Sequence, residues 1–325
     1  MVLLIDNHVY SKQCSLDDLA QHRDLINSSR DFASSQEFKQ SKEEISKTIY
    51  VYQREFAVIA NNDPHGFHLV GSDNATTCHI LVLDNHRAVA LAHLDGAETQ
   101  QSIEEMIKEL KNYAPHNTEY DVYLAGGFLD DSGKQHSRTL SNEILNLFSK
   151  IPNISFHLKL AAITMYNDHI IKNIHYPQVY GICFDVQTKN IRKMNFIDNG
   201  PAFRLRTVYQ SANCEKAWCI YSSLKRTIEI KRFFIKESAV ERFYKPLYRY
   251  YFHDDQQLLA VTSTSPAQEL ESYIINMKKT TLYILKYYKV LPEWFDKETH
   301  SIVYYRFNDT WKTDNKNIVD DVEIE

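Results

Sequence analysis

Two runs carry apolar side chains at nearly every position: Cys78, Ile80 and Val82 interleaved with His79, Leu81 and Leu83, then Ala88, Ala90 and Ala92 interleaved with Val89, Leu91 and His93. Such runs predict strands buried on both faces. Between them lies the turn-type cluster Asp84-Asn85-His86-Arg87, so the pattern predicts a β-hairpin. With Asn85 and His86 as a two-residue loop, Asp84 pairs with Arg87 and every opposed couple has residue numbers summing to 171. Cys78 and His93 then face each other, with Cβ atoms about 4.5–5.5 Å apart. A four-residue loop keeps this register and a three-residue loop breaks it. His79 points to the other face of the strand and is a poor base for the Cys78 thiol.

Further strands are predicted over residues 48–60, 67–70, 121–124, 154–165, 179–186, 218–221, 228–235 and 302–307. The 102–113 segment repeats Ile103, Met106, Ile107 and Leu110 at helical spacing, and helices are also predicted over 141–149 and 266–288. Residues 16–47 are polar and predict two helices, with Ser15 as N-cap. Strands outnumber helices and follow one another in hairpin-like succession. The expected fold is therefore α+β, a layered sandwich of mostly antiparallel sheet flanked by helices, and not a doubly wound parallel fold. No fixed-period repeat or Pro/Gly/Ser-rich linker divides the chain. Residues 1–313 are expected to form one composite domain, with a helical segment over 1–47 and a catalytic core over 48–313. Residues 314–325 are expected to be a loose acidic tail.

Composition narrows the partners more than the fold. The 325 residues are 43% hydrophobic and 24% charged, with a net charge of −5, which gives no support to nucleic-acid or anionic-membrane binding. The opening MVLLIDNH lacks both the length of a membrane span and the basic segment of a signal peptide. Five scattered cysteines, Cys14, Cys78, Cys183, Cys214 and Cys219, do not suggest a disulfide framework and suit a reducing compartment. A cytoplasmic monomer is expected, with the nucleus left open.

The candidate chemistry centres on Cys78. Cysteine in an apolar strand is usually structural, but the polar approach Gly71-Ser72-Asp73-Asn74-Ala75-Thr76-Thr77 supplies hydroxyls and backbone N–H groups just before it. The residues alone leave the structural and the catalytic readings both open. In the catalytic one, His93 takes the proton of a thiol whose ordinary pKa is about 8.5, and later protonates a leaving amine. Ser72 is the candidate to orient His93, with Asp95 second, and the backbone N–H groups of Thr77 and Cys78 are placed to hold an oxyanion. Cys214 with Cys219, and His169 with His175, lack the spacing of zinc motifs. Gly126-Gly127 lacks the rest of a phosphate loop and reads as backbone crowding. The basic and apolar alternation of residues 223–236 reads as a half-buried strand. Ser265 before Pro266 reads as a helix N-cap, with Glu269 in the first turn.

The segment Gly71-Ser72-Asp73-Asn74-Ala75-Thr76-Thr77-Cys78-His79 is similar to the signature of the protein N-terminal asparagine amidohydrolases. Supporting matches are Tyr52-Gln53-Arg54-Glu55, His93-Leu94-Asp95-Gly96, Leu124-Ala125-Gly126-Gly127-Phe128, Tyr180-Gly181-Ile182 and Ser263-Thr264-Ser265-Pro266 with Glu269. They span roughly residues 49–285; before them the match is poor, Leu94 replaces a more polar neighbour, and Leu270-Glu271 stands where prolines are expected. The resemblance implies deamidation of an asparagine at a protein's extreme N-terminus, giving aspartate and ammonia without metal or cofactor, as a step towards ubiquitin-dependent turnover. More remotely, the pattern resembles bacterial Cys/His deamidases on a layered α/β sandwich, in which a hydroxyl residue stands six before the cysteine, as Ser72 does here. A carboxylate must then read the substrate's α-ammonium, and Glu269 and Asp73 are the candidates, with Thr77 and Ser265 completing the substrate pocket. Two other readings stay in view: a Cys/His protease or deamidase acting on internal Gln or Asn, and a non-catalytic module that binds protein N-termini.

Overall fold

The computed structural model describes residues 2–131, 133–212, 216–251 and 254–319. These fall into two compact units, one of residues 1–198 with 215–225 and one of 199–214 with 226–325.

In the first unit the strands are β1 (Val2–Ile5), β2 (His8–Tyr10), β3 (Phe38–Lys39), β4 (Thr48–Tyr50), β5 (Glu55–Ala60), β6 (Leu69–Ser72), β7 (His79–Asp84), β8 (Ala88–Leu94), β9 (Glu119–Gly126), β10 (Ser155–Ile163), β11 (Asp168–Ile171), β12 (Ile174–Pro177), β13 (Ile182–Asp185), β14 (Ile191–Asn195) and β15 (Trp218–Ser222). Its helices are α1 (Arg23–Ser34), α2 (Lys42–Ile45), α3 (Thr99–Lys111) and α4 (His136–Phe148). The main sheet runs β15-β5-β8-β7-β9-β10-β1-β2, and a second sheet runs β3-β14-β13-β6-β4. Antiparallel pairs dominate around β7, whereas β9, β10 and β1 pair in parallel, as do β15 and β5. The architecture is thus mixed, with helices flanking the sheets. The 48–60 stretch is two strands, β4 and β5, which belong to different sheets. The apolar opening Val2–Ile5, given no role by its pattern, is a strand of the main sheet beside β10.

The central strands β7 and β8 are buried along their whole length, because both faces of the sheet are covered. Leu81, Leu83, Ala90, Ala92 and Leu94 share a core with Ile103, Met106 and Leu110 of α3 and Leu140, Ile144 and Phe148 of α4. The opposite face meets the second sheet, as shown by the Tyr123 and Phe184 rings, 5.1 Å apart between β9 and β13. Each fully buried Leu or Val contributes about 1.5–3 kcal/mol relative to exposure. A slip of one residue in either strand would exchange the two faces and is strongly disfavoured.

The register differs from the expected one by two. Ile80, not Cys78, lies opposite His93, and paired numbers sum to 173. The cause is Asn85, which the pattern placed in the loop. Its side chain is buried: Nδ2 donates to the Leu110 carbonyl at 2.8 Å, and Oδ1 accepts from the Arg87 and Ala88 N–H groups at 3.0 and 2.8 Å. Asn85 is thereby held at the end of the ladder, its N–H donating to the Ala88 carbonyl, and the loop becomes His86-Arg87 with His86 at φ 64°. A shift of two preserves the faces, so Ile80 and His93 lie on one side and His79 on the other, and Cys78 stands just before the ladder begins.

The second unit contains α5 (Phe203–Ala212), β16 (Thr227–Lys231), α6 (Glu237–Ala239), α7 (Lys245–Tyr251), α8 (Asp255–Thr262), α9 (Glu271–Tyr287), β17 (Ser301–Phe307) and β18 (Thr310–Lys312). The strands form an antiparallel ladder, and α5 packs on α9 through Arg204, whose guanidinium donates to Thr280 Oγ1 at 2.9 Å. The predicted start of α9 at Pro266 is corrected: Leu270 is the N-cap, and the Gln268 N–H donates to the Ser265 carbonyl at 3.1 Å. Pro266 sits second in that four-residue turn, a position its fixed φ suits, so Ser265 opens a turn and not a helix. Within the stretch expected to be loose, Tyr283 donates to the Val319 carbonyl at 2.8 Å and Tyr305 to Asp314 at 3.0 Å; residues 320–325 lie outside the described residues.

Candidate active site

Cys78 stands immediately before β7, half-buried, at the end of the 73–77 approach. The next residue, His79, opens the ladder opposite Leu94, one place beyond His93. On the facing sheet, β6 ends at Ser72, whose Oγ lies 2.7 Å from His93 Nδ1. Ser72 and His93 thus meet between the sheets, with Ser72 next to the imidazole, and Cys78 stands one residue before the strand that pairs with the end of β8. His93 Nε2 is buried and has no hydrogen-bond partner among the described residues. Burial drives the His93 pKa down to about 4, against a smaller upward pull from Asp95, so the ring is neutral near pH 7.

His79 belongs to the other side. Its Nε2 lies 2.7 Å from Ser141 Oγ on α4, which in turn lies 2.7 Å from Thr164 Oγ1. The expected crowding at Gly126-Gly127 has a specific target. A Cβ on Gly126, at φ 108°, would lie 2.6 Å from the Cys78 carbonyl oxygen, and one on Gly127, at φ 64°, 2.6 Å from the His79 ring. These glycines let the end of β9 approach the backbone of the cysteine.

Asp73 is committed to its surroundings. Oδ1 accepts from the Tyr50 hydroxyl at 2.8 Å and Asn74 Nδ2 at 2.7 Å, and Oδ2 from the Phe196 N–H at 3.0 Å. Burial still raises its pKa to about 6, those hydrogen bonds opposing the shift. The approach segment is tied down at Ala75, whose N–H donates to the Tyr180 carbonyl at 2.8 Å. Thr77 is buried beside Cys78. In the second unit, Ser263 Oγ donates to Glu269, the Ser265 N–H donates to Ser263 Oγ at 3.0 Å, and Ser265 Oγ is buried without a hydrogen-bond partner among the described residues.

Asp95, the second choice to orient His93, has another partner. Its Oδ2 accepts from Arg54 Nε and Gln53 Nε2, both at 2.7 Å, and its Oδ1 from the Ala97 N–H at 3.1 Å. Arg54 also donates its backbone N–H to the His93 carbonyl at 2.9 Å. Sequence reasoning gave Gln53 and Arg54 a place in a family match but no chemical role; the signal available was a charged residue within the predicted strand of residues 48–60. Among the described residues no group of three or more metal-ligating side chains is placed to hold a metal, and His175 instead pairs with Asp168 at 2.6 Å. Cys214 lies outside the described residues.

The two buried histidines have a consequence for stability. His79 and His93 are both held neutral, with pKa values near 4 against an ordinary 6.5, so the folded chain binds fewer protons than the unfolded chain between those values. Their contribution is complete above about pH 6.5 and is lost as pH falls towards 4. Asp73 acts in the opposite sense over 3.8 to about 6, but it is one group against two. The melting temperature is expected to fall between pH 7 and pH 5; calorimetry showing a rise would contradict the neutral burial of these rings.

A family model described as protein N-terminal asparagine amidohydrolase matches residues 38–313. Among curated proteins, the protein N-terminal asparagine amidohydrolase of Homo sapiens is 31% identical over 244 residues, covering 74% of this chain and 75% of that protein. The Mus musculus protein of the same name is 30% identical over 243 residues, with the same coverage, and that of Arabidopsis thaliana 26% over 309 residues, covering 85% of each. The chain belongs to the protein N-terminal asparagine amidohydrolase family.

Proposed function

We propose that this protein hydrolyses the side-chain amide of an N-terminal asparagine on proteins or peptides, giving aspartate and ammonia, with Cys78 as nucleophile. The observation that carries the mechanism is the 2.7 Å contact between Ser72 Oγ and His93 Nδ1, at the end of the β7–β8 pair that Cys78 immediately precedes. With Nδ1–H donating to Ser72, the lone pair of neutral His93 sits on Nε2, the nitrogen left without a partner among the described residues. His93 takes the thiol proton as the Cys78 sulfur bonds to the carboxamide carbon. The oxyanion is held by the Thr77 and Cys78 N–H groups. As the C–N bond breaks, His93 returns the proton to the nitrogen and ammonia leaves a thioester. Water, deprotonated by His93, attacks that carbon, and the thiol is re-formed beside a new carboxylate.

Ser72 is neutral, so it orients the ring and fixes the tautomer without the charge a carboxylate would supply to an imidazolium. Ser72→Ala is expected to slow turnover about tenfold, the equivalent of one hydrogen bond worth roughly 1.4 kcal/mol. Steady-state kinetics on an Asn-initiated peptide checks this, and an unchanged kcat would remove Ser72 from the mechanism.

The substrate's α-ammonium requires a carboxylate. Asp73 and Glu269, with Ser265 on the loop of the latter, are the candidates; Asp73 accepts from Tyr50, Asn74 and the Phe196 N–H, and Glu269 from Ser263. The product, an N-terminal aspartate, fits a place upstream of ubiquitin-dependent degradation, in a cytoplasmic monomer with the nucleus left open. Ammonia release from an Asn-initiated peptide with a free N-terminus, and none from its acetylated form, is the expected result. Turnover of the blocked peptide would favour action on internal amides instead. No release from either would leave only a binding module.

A further inference from the structure

The turn that precedes β5 is built around a backbone that an arginine adopts only at a cost. Glu55 N–H donates to the Tyr52 carbonyl at 3.0 Å and the Tyr52 N–H to Glu55 Oε2 at 2.7 Å, closing a four-residue turn with Arg54 third, at φ 60°. Such a position favours Gly or Asn. What an arginine adds there is reach. Its Nε meets Asp95 Oδ2 at 2.7 Å, with the two side chains only 17% and 8% exposed, while its N–H meets the His93 carbonyl at 2.9 Å. Gln53 adds a second donor to the same Asp95 oxygen at 2.7 Å. One turn therefore grips both the backbone of His93 and the carboxylate two residues beyond it.

We propose that Arg54 and Asp95 are positioning residues for the reaction: their buried ion pair locks the 52–55 turn onto the end of β8 and holds His93 in place. This rests on the functional reading above but is testable apart from it. The titratable groups flanking His93 are His79 on the neighbouring strand and Cys78 just before it, Asp73 after β6, Arg54 and Glu55 from the turn, and Asp95 just past the end of β8. Of these, Asp95 favours the charged ring. Removing Arg54 unbalances that carboxylate, and removing the carboxylate does the reverse. The two halves of the clamp therefore have opposite signatures, which a merely structural ion pair would lack.

The test uses Arg54→Asn, which suits φ 60° and should keep the melting temperature close to wild type, together with Asp95→Asn and Arg54→Lys. Both asparagine variants should lose about tenfold in kcat on an Asn-initiated peptide, with KM within about twofold, about 1.4 kcal/mol of misplacement. The acid limb of the pH profile should move up in Arg54→Asn and down in Asp95→Asn, with Arg54→Lys returning towards wild type. A second readout needs no substrate. Alkylation of Cys78 by iodoacetamide at pH 7, located by peptide mass, should speed up in Arg54→Asn, where the imidazolium partner of the thiolate is favoured, and slow down in Asp95→Asn. Folded variants with unmoved alkylation rates and unmoved pH limbs overturn the proposal, as does a loss that merely tracks the melting temperature. Opposite alkylation shifts in a wild type that releases no ammonia would leave the clamp standing and overturn the functional reading instead.

Discussion

Cys78→Ala should release ammonia from an Asn-initiated peptide at least about 10,000-fold more slowly than the wild type, because the proposed mechanism runs through a thioester on Cys78. The loss should fall on turnover, with the peptide still bound. Cys78 precedes β7 and is half-buried, so its truncation removes little core packing and the melting temperature should change by no more than a few degrees. Ammonia assays with matched thermal melts check both parts. Wild-type rates in this variant would assign the nucleophile elsewhere; Cys14, Cys183 and Cys219 are poor replacements, since burial pushes each thiol up to about 12.

The second large effect is expected at His93. His93→Gln keeps a hydrogen-bonding side chain of similar size but cannot carry a proton between thiol, leaving nitrogen and water, and should cost about 100- to 10,000-fold in kcat. By contrast, His79→Gln should act mainly through stability, because its ring is buried against Ser141 on the helix-covered face. Kinetics and melts on the two variants separate the roles. A His79 variant that lost activity at full stability, with an active His93 variant, would reverse the assignment that strand parity makes.

That parity was legible in the sequence, although the loop was not. Alternation along residues 78–83 and 88–93 places Cys78 and His93 on one face whichever even shift the hairpin adopts. The actual shift depends on Asn85 reaching the Leu110 carbonyl, a tertiary contact that turn propensity does not contain. Ser72 was reached by spacing from Cys78, whereas its contact with His93 joins the end of β6 to a strand of the facing sheet. The Arg54–Asp95 pair joins residues 41 apart in sequence, and no local pattern links them. The second unit was least legible. The helix α5 had no apolar stripe to find, because Arg204 and Arg206 are buried in it, the former donating to Thr280 and the latter to the Asn199 carbonyl at 2.7 Å.

The claim that selects among all the readings is that the carboxamide of a terminal asparagine is the group attacked. A glutamine places the reacting carbon one methylene further out, and a displacement of about 1 Å costs roughly 100-fold. Mass spectrometry of three peptides that differ only in their first residue, Asn, Gln or Asp, tests this directly. A gain of about one mass unit in the Asn peptide alone, as an amide becomes an acid, is the predicted result. Equal conversion of the Gln peptide, or no change in the Asn peptide, would contradict it.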